Sequence, residues 1–275
     1  MYGPPGPASA IVAPRDCSPE GLAEGDRARE ADVKFKVIAV IASATALWLG
    51  LAGSAVAAPH SGHRAKPAPQ VTGARLQSAL LPASAFGDGF TVANRLNTGS
   101  RLRSTHASIK PSGLSCQTFE EYIFVAGFGN TAGAVDSVDN PNPNFADYPS
   151  LVLAGDQAVL QFKTTQAAAS FYNAAYARYK QCSAFTESDP ADNLRFELTT
   201  QSLSKTTIGK NKAFQLSQYV DISSLPVASF YQNTTVVLAG TNVYTVDDLN
   251  GTNDPIPAAL VGKLISRVQA LYKHH

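Results

Sequence analysis

The sequence predicts a single α+β domain in which an antiparallel β-sheet is flanked by α-helices and held by one disulfide. Apolar residues recur at three- and four-residue steps in 164–182 and 257–271, which indicates two amphipathic helices. Strand-like segments follow one another between 194 and 246 with short turns between them. Sequential strands joined in this way pair antiparallel.

An export signal is predicted ahead of this domain, in residues 33–57. Lys34 and Lys36 supply a positive start, and residues 37–53 form an apolar run. Such a segment directs a chain out of the cytoplasm. We therefore expect a secreted or extracytoplasmic protein of the cell envelope.

The predicted cleavage site has small residues at Ala55 and Ala57, so that the mature chain would begin at Ala58. The apolar run is also long enough to remain as an uncleaved membrane anchor. Ser54 stands where a lipoprotein would carry its modified cysteine, which argues against a lipid anchor. Residues 1–32 are interpreted as a disordered extension or as untranslated sequence.

Residues 58–72 are rich in Pro, Ala, His and Gly, which predicts a linker, and order is expected from about Gly73. His60 and His63 lie in this linker without further ligands at metal-binding spacing, so we interpret them as solvated. The same interpretation applies to His106, His274 and His275.

The charge balance excludes several function classes. The chain has 22 Lys and Arg against 21 Asp and Glu, a net charge of +1. Nucleic-acid binding would need a basic face, so no nucleic acid is expected, and the membrane is a partner only through an uncleaved N-terminal segment. Gly127, Gly129 and Gly133 lack dinucleotide-loop spacing, and the sequence has no serine-nucleophile elbow. We predict no cofactor, no metal and no catalytic residue.

The first elements of the domain are short. A helix over 74–81 ends at Pro82, and the turn that begins at Phe86 leads into an extended segment through Arg95. A loop rich in Pro and Asn is predicted over 136–148. Its three aspartates are a weak cation signal: Asp136, Asp139 and Asp147.

A second helix is predicted over 115–124, with Cys116 at its start and Glu120 and Glu121 on its solvent side. Its inward side chains are Phe119, Tyr122 and Ile123.

The second half of the domain has stronger periodicity. Residues 151–162 alternate as a strand, and the helix over 164–182 has one continuous apolar face. That face consists of Ala168, Phe171, Tyr172, Ala175, Tyr179 and Cys182. Four strands follow, over 194–207, 212–222, 229–238 and 242–246. The final helix packs Leu260, Leu264, Ile265, Val268 and Leu271.

Cysteine usage indicates a disulfide. Cys17 lies ahead of the export signal, which leaves Cys116 and Cys182 in the mature chain. Two thiols in an oxidising compartment usually pair. The bridge would close a loop of about 66 residues and contribute roughly 4 kcal/mol. Two buried free thiols are the alternative.

Several features occur in a recognisable order. The segment LLPASAFGDGF at 80–90 precedes a helix that starts at Cys116. The strand QAVLQF at 157–162 then leads to an Ala-rich helix that closes on Cys182, and a final strand at 243–246 leads to the last helix. In this order the features resemble the PknH-like extracellular sensor domain family of actinobacteria.

The resemblance covers residues 73–273 and implies an exported module whose sheet and helices surround a ligand cleft. It also implies that the Cys116–Cys182 bridge ties the two central helices. The sequence departs from the kinase sensors in having no kinase segment and no second disulfide. Signalling by phosphorylation is therefore not expected.

Two candidate site features remain. Residues 247–254 carry oxygen ligands at alternate positions, as a calcium ion requires: Asp247, Asp248, Asn250 and Asp254. The alternative is a polar turn in which Asp254 offsets the dipole of the last helix. Tyr176 is the aromatic side chain that we expect to face a cleft.

The sequence therefore predicts a non-catalytic module that binds a small molecule or an envelope component in a cleft. One alternative is an envelope hydrolase with acids such as Asp156 or Glu197, which would need two carboxylates within about 10 Å. Another is an interaction scaffold with a flat apolar patch.

Overall fold

The computed structural model describes residues 70–97, 114–123, 129–144, 150–189, 194–222 and 230–273. Within these ranges, the helices are α1 (Gly73–Ser78), α2 (Cys116–Ile123), α3 (Thr165–Gln181) and α4 (Ala258–Ala270), with a 3-10 helix at Ala83–Ala85. The strands are β1 (Thr91–Asn97), β2 (Ala132–Asp139), β3 (Val152–Gln161), β4 (Ala184–Asp189), β5 (Leu194–Ile208), β6 (Asn211–Ile222), β7 (Phe230–Ala239) and β8 (Asn242–Asn250).

All eight strands form one antiparallel sheet in the order β1-β2-β3-β8-β7-β6-β5-β4. The last strand, β8, lies in the middle between β3 and β7. Strands β5 to β8 form the predicted meander, with hairpin turns at Gly209 and Gly240. Both glycines have positive φ, +59° and +64°, a conformation that tight hairpin turns require. The predicted α+β class is confirmed.

Side chains of the sheet alternate between two faces, each covered by helices. The disulfide face packs against α2 and α3 through Phe119, Phe171, Phe214, Val236 and Val243. The terminal face packs against α1 and α4 through Leu76, Val159, Tyr244, Val261 and Leu264. Because helices lie on both faces, the central strands are buried on both sides.

The helix α3 forms as predicted. The hydroxyl of Thr164 accepts a hydrogen bond from the Ala167 N–H at 3.1 Å and so caps its first turn. The predicted apolar face is buried against the sheet, from Ala168 to Cys182.

The predicted disulfide is present. Cys116, the first residue of α2, is bridged to Cys182, the residue after α3, with a Cα–Cα distance of 5.5 Å. The bridge thus joins the two helices of the disulfide face.

The predicted loop over 136–148 is wrong in its first part. Residues 132–139 form β2, which pairs with β1 and β3. Its sequence, AGAVDSVD, has small and charged residues in place of an alternating apolar pattern. Close packing on both faces stabilises this strand where local propensity does not.

Two further strands were not fully predicted. β4 has the polar sequence AFTESD and forms an edge of the sheet by pairing with β5. β8 continues to Asn250, beyond the predicted end at Val246, because β3 and β7 pair with it on both sides. The acidic residues after Val246 are therefore in a strand and not in a turn.

The predicted solvent position of Glu120 is also wrong. Its side chain is only 7% exposed and points into the core beside Phe119. The periodicity of a single helix predicts that its charged residues face solvent. In the folded protein, however, the sheet covers α2 on the side of Glu120.

Several predictions lie outside the described residues. These are the signal segment with Ser54, Ala55, Ala57 and Ala58, and the residues Cys17, His60, His63, His106, Gly127, Asp147, His274 and His275. Val71, at the end of the predicted linker, is buried on the terminal face, where its N–H donates to Gln161 Oε1 at 3.1 Å. Among the described helices, none has the length and apolar character to cross a bilayer.

Candidate functional site

A groove on the outside of the terminal face begins where α1 meets α4. Arg267 of α4 donates from Nε to the Ala79 carbonyl at 2.9 Å and from Nη2 to the Ser78 carbonyl at 3.4 Å. This clamp holds the end of α1 against α4. The chain then turns away at Pro82 into the 3-10 helix, which leaves a depression between that helix and α4.

We call this depression the terminal groove. It has a volume of about 670 Å³, which is within the range of small-molecule sites. Leu81, Pro82 and Ala85 line one side, and Ala259, Gly262, Lys263, Ser266 and Arg267 line the other. Small side chains on α4 make the room, while Lys263 and Arg267 make the lining cationic.

The sheet fixes the apolar side of this groove through one buried glutamine. Gln157 of β3 accepts from the Leu81 N–H at 2.8 Å and donates to the Leu81 carbonyl at 2.7 Å. The Gln157 side chain is fully buried. Both backbone groups of Leu81 are therefore paired as a neighbouring strand would pair them.

A close approach at Gly155 places the next part of the segment. A Cβ atom on Gly155 would lie 2.8 Å from Cδ1 of Phe86 and 2.9 Å from the Asp247 carbonyl oxygen. Only glycine admits the Phe86 ring at this point on the sheet. The motif at 80–90 is thus anchored at Leu81 and at Phe86.

A second depression, of about 480 Å³, lies where α3 begins beside the tips of two hairpins. Its lining includes Thr165 and Gln166 of α3 with Lys210 and Lys212. Ala169 and Leu238 supply its apolar part, and its volume is smaller than that of the terminal groove.

The disulfide face contains an unusual group of buried acids, which we call the interior acid cluster: Glu120, Asp156 and Asp247. Asp156 and Asp247 occupy paired positions on β3 and β8. Gln232 of β7 donates from Nε2 to Glu120 Oε1 and to Asp247 Oδ2, both at 3.2 Å. One amide thus bridges carboxyl groups from α2 and from the central strands.

Burial changes the acidity of all three groups. Desolvation, and then repulsion from Glu187, raises the pKa of Glu120 to about 8. Desolvation raises the pKa of Asp156 to about 6, against a hydrogen bond from Ser137. Desolvation and the charge of Asp156 raise the pKa of Asp247 well above its usual range. At neutral pH the cluster therefore holds protons.

Several polar atoms on this face have no hydrogen-bond partner among the described residues. They include Asp156 Oδ1, Thr234 Oγ1 and both side-chain atoms of Gln218. Gln218 is fully buried and pairs in register with Gln232, so the two amides lie on the same face. A buried polar patch thus surrounds the acids.

The structure separates the four predicted cation ligands. Successive residues of β8 point to opposite faces, so Asp247 lies in the interior acid cluster and Asp248 and Asn250 lie on the terminal face. Asp254 is exposed. Pro257, and not Asp254, is the N-cap residue of α4.

On the terminal face, the side-chain oxygens of Asp248 and Asn250 accept hydrogen bonds from the same amide. Nδ2 of Asn233 donates to Asp248 Oδ1 at 3.2 Å, to Asn250 Oδ1 at 3.4 Å and to the Thr252 carbonyl at 3.2 Å. This nitrogen occupies the point at which a cation would have to sit. Within the described ranges, no three or more His, Cys, Asp or Glu side chains are grouped so as to hold a metal ion.

The other candidate residues lie apart from the terminal groove. Tyr176 packs on Phe214 with ring centroids 5.4 Å apart, and the Lys205 ammonium lies 4.5 Å from its ring centroid. That Tyr176 faces a ligand cleft remains a prediction. Asp156 and Glu197 lie on strands four positions apart, roughly 19 Å, and on opposite faces. They do not form a catalytic pair.

Sequence reasoning missed the terminal groove and the interior acid cluster. The groove joins residues about 180 positions apart in sequence, for which no local pattern exists. The acids of the cluster come from three elements. One feature of the sequence could have indicated that Glu120 is buried. It follows the inward-facing Phe119 on a helix that begins at a disulfide-forming cysteine.

Comparisons with known proteins were informative only at the level of solved structures. No protein-family model matches the chain, and no curated protein matches it in sequence. A solved structure, the extracellular domain of PknH from Mycobacterium tuberculosis, is 14% identical with a TM-score of 0.49, over 78% of this chain and 100% of that chain. Similarity at this level assigns neither a family nor a function.

Proposed function

We propose that this chain is an exported, non-catalytic binding module of the cell envelope that takes a small anionic molecule with an apolar part. This proposal is based mainly on the composition and volume of the terminal groove. It combines an apolar wall with cationic side chains in a volume suited to a small molecule.

The positive charge of the groove lining favours an anionic ligand. Lys263 and Arg267 are the charged residues of the groove, and no acid lines it. The guanidinium of Arg267 is held by the Ala79 and Ser78 carbonyls, which orients it without neutralising it. A carboxylate, sulfate or phosphate group would be attracted here, while Leu81 and Ala85 would contact its apolar part.

The lining also supports a binding role over a catalytic one. Ser266 is the hydroxyl in the groove, and it donates to the Gly262 carbonyl at 2.8 Å. The lining contains no histidine, cysteine or carboxylate that could act as its base. The resemblance of residues 73–273 to exported sensor domains is consistent with a binding role.

An extracytoplasmic location is supported by the Cys116–Cys182 bridge, because disulfides persist in oxidising compartments. The export signal predicted in residues 33–57 gives the same location.

The proposal can be tested with anilinonaphthalene sulfonate, an anionic apolar fluorophore, added to the folded protein at neutral pH. We expect Lys263→Ala to weaken binding about tenfold, which corresponds to about 1.4 kcal/mol. Lys180→Ala, at an exposed position on α3, is the matched charge control. Equal affinity in these two variants would contradict the proposal.

A second variant tests the shape of the groove. A Cβ at Gly262 meets no atom within 4 Å, so Gly262→Phe should fill the groove without a clash. Gly262→Ala is its control, because it leaves most of the volume open. Native mass spectrometry of protein recovered from the host should then show a co-purified anion in Gly262→Ala that is missing in Gly262→Phe.

A further inference from the structure

The helix α2 combines a covalent tether with a buried carboxyl group. It is eight residues long, and its first residue is bonded to Cys182 after α3. Phe119 and Glu120 both point inward.

The titratable groups around the interior acid cluster are acids and phenols. In addition to the three carboxyls, they are Tyr179 of α3, whose hydroxyl donates to Glu120 Oε1 at 3.5 Å, and Glu187 of β4. The strands β2, β6 and β7 contribute the uncharged side chains of Ser137, Gln218, Gln232 and Thr234.

The cations of this face interact elsewhere. Arg178 of α3 donates to the Leu114 carbonyl and to Gln181 Oε1. The Lys205 ammonium lies over the Tyr176 ring. The described residues therefore supply no countercharge to the three carboxyls.

A second observation concerns buried polar atoms that have no hydrogen-bond partner among the described residues. Gln218 lies in register with Gln232, is fully buried, and has a donor and an acceptor without partners. Thr234 on β7 adds an unpaired hydroxyl. Such groups are costly when buried and are satisfied when water or a polar ligand reaches them.

We propose that the interior acid cluster is a proton-controlled latch: α2 docks on the sheet when the cluster is protonated and is released on its disulfide tether when the cluster ionises. Release exposes Glu120 together with the polar patch formed by Gln218, Gln232 and Thr234. The latch does not depend on the terminal groove.

The acidity of the cluster sets the pH range. The pKa of Glu120 is raised to about 8 and that of Asp156 to about 6. The docked form therefore binds more protons than the released form. As pH rises from the ordinary carboxyl range towards 8, the docking equilibrium should fall by up to about tenfold per pH unit for each carboxyl.

Release should be confined to α2 because of where the three acids lie. Asp156 and Asp247 are on strands that are paired on both sides. Glu120 is on a helix held by side chains and by one disulfide. Moving α2 therefore removes one acid from the cluster without breaking the sheet.

Hydrogen–deuterium exchange of residues 116–123 tests the proposal, with protection factors corrected for the pH dependence of intrinsic exchange. Between pH 6 and pH 8.5 we expect protection of α2 to fall at least about tenfold in the wild type. Glu120→Gln should reduce this dependence. Glu197→Gln, an exposed acid on β5, should retain it.

Three outcomes would overturn the latch. One is unchanged α2 protection across this range in the wild type, which needs no variant. Another is an undiminished fall in Glu120→Gln. A third is recovery of α2 protection at pH 8.5 on addition of calcium or sodium, which would make the cluster a cation site.

Discussion

Both faces of this sheet bury carboxyl groups, and Asp136 on one face and Glu120 on the other have opposite surroundings. On the terminal face, Asp136 accepts from Arg95 Nε at 2.9 Å and Nη2 at 2.8 Å, and from Gln77 at 3.3 Å. On the disulfide face, Glu120 has an amide and a phenol as donors and acids as neighbours. Both side chains are buried.

The difference separates a structural acid from a responsive one. Asp136 has a cation as its partner, and its hydrogen bonds with Gln77 and Arg95 help to hold α1 and β1 to the sheet. Glu120 has no cation, so burial favours its neutral form. The same contrast holds for amides, since Gln157 on the terminal face is paired and Gln218 on the disulfide face is not.

The largest expected effect concerns the tether of the disulfide face. Replacing Cys116 and Cys182 by Ser should lower the free energy of unfolding by about 4 kcal/mol, because the unfolded chain regains its entropy. Urea denaturation would measure this loss. Reduced wild type should match the variant, and a change below about 1 kcal/mol would show that the bridge is dispensable.

The buried carboxyl group of Glu120 should make stability depend on pH. Because the folded state raises the pKa of Glu120 from 4.5 to about 8, it binds the proton more tightly than the unfolded state does. Stability should therefore fall as pH rises from about 5 to 8, by at most about 1.4 kcal/mol per pH unit from this group. Glu120→Gln should reduce this slope, while Asp156, Asp247 and Asp248, whose pKa values burial also raises, keep part of it.

Asp136→Asn is the matching substitution on the terminal face. It should lower stability by about 1 kcal/mol at neutral pH, because its partner Arg95 is half exposed and the ion pair is screened. An equal slope in Glu120→Gln and the wild type would contradict the assignment of Glu120 as the responsive acid.

The two buried glutamines give a matched pair of substitutions. Gln157→Leu should cost about 2 kcal/mol or more, because the N–H and carbonyl of Leu81 lose their partners. Gln218→Leu should be neutral or stabilising, since it removes polar atoms that have no partner. Chemical denaturation would measure the free energy of unfolding of both variants. Equal losses of stability would contradict the distinction between a paired and an unpaired glutamine.

Two glycine positions should respond to the same substitution with opposite signs. Gly155→Ala should lower stability by about 1–2 kcal/mol, because the new methyl group meets Phe86 and the Asp247 backbone. Gly262→Ala in α4 should raise stability by about 1 kcal/mol, since helix propensity improves in open space. Thermal denaturation should show shifts of opposite sign.

Strong periodicity made part of the fold predictable. Residues 165–181 and the strands after 194 follow helical or alternating patterns and are paired or packed as expected. β2 and β4 lack such patterns, and only their neighbours in the sheet make them strands.

The candidate sites were less predictable than the elements. The acids of residues 247–250 were expected in one loop, but strand alternation sends Asp247 to one face and Asp248 to the other. Glu120 was expected in solvent because a helix pattern does not show what lies above each side chain. The groove residues come from both ends of the domain.

The sequence by itself determined the antiparallel α+β class, the long helix α3 and the pairing of Cys116 with Cys182, because periodicity and cysteine number are local or countable properties. Tertiary structure decided which polar residues are buried and which have partners. Burial and countercharge depend on residues far apart in the chain, and they distinguish Asp136 from Glu120 although both are acids next to apolar residues.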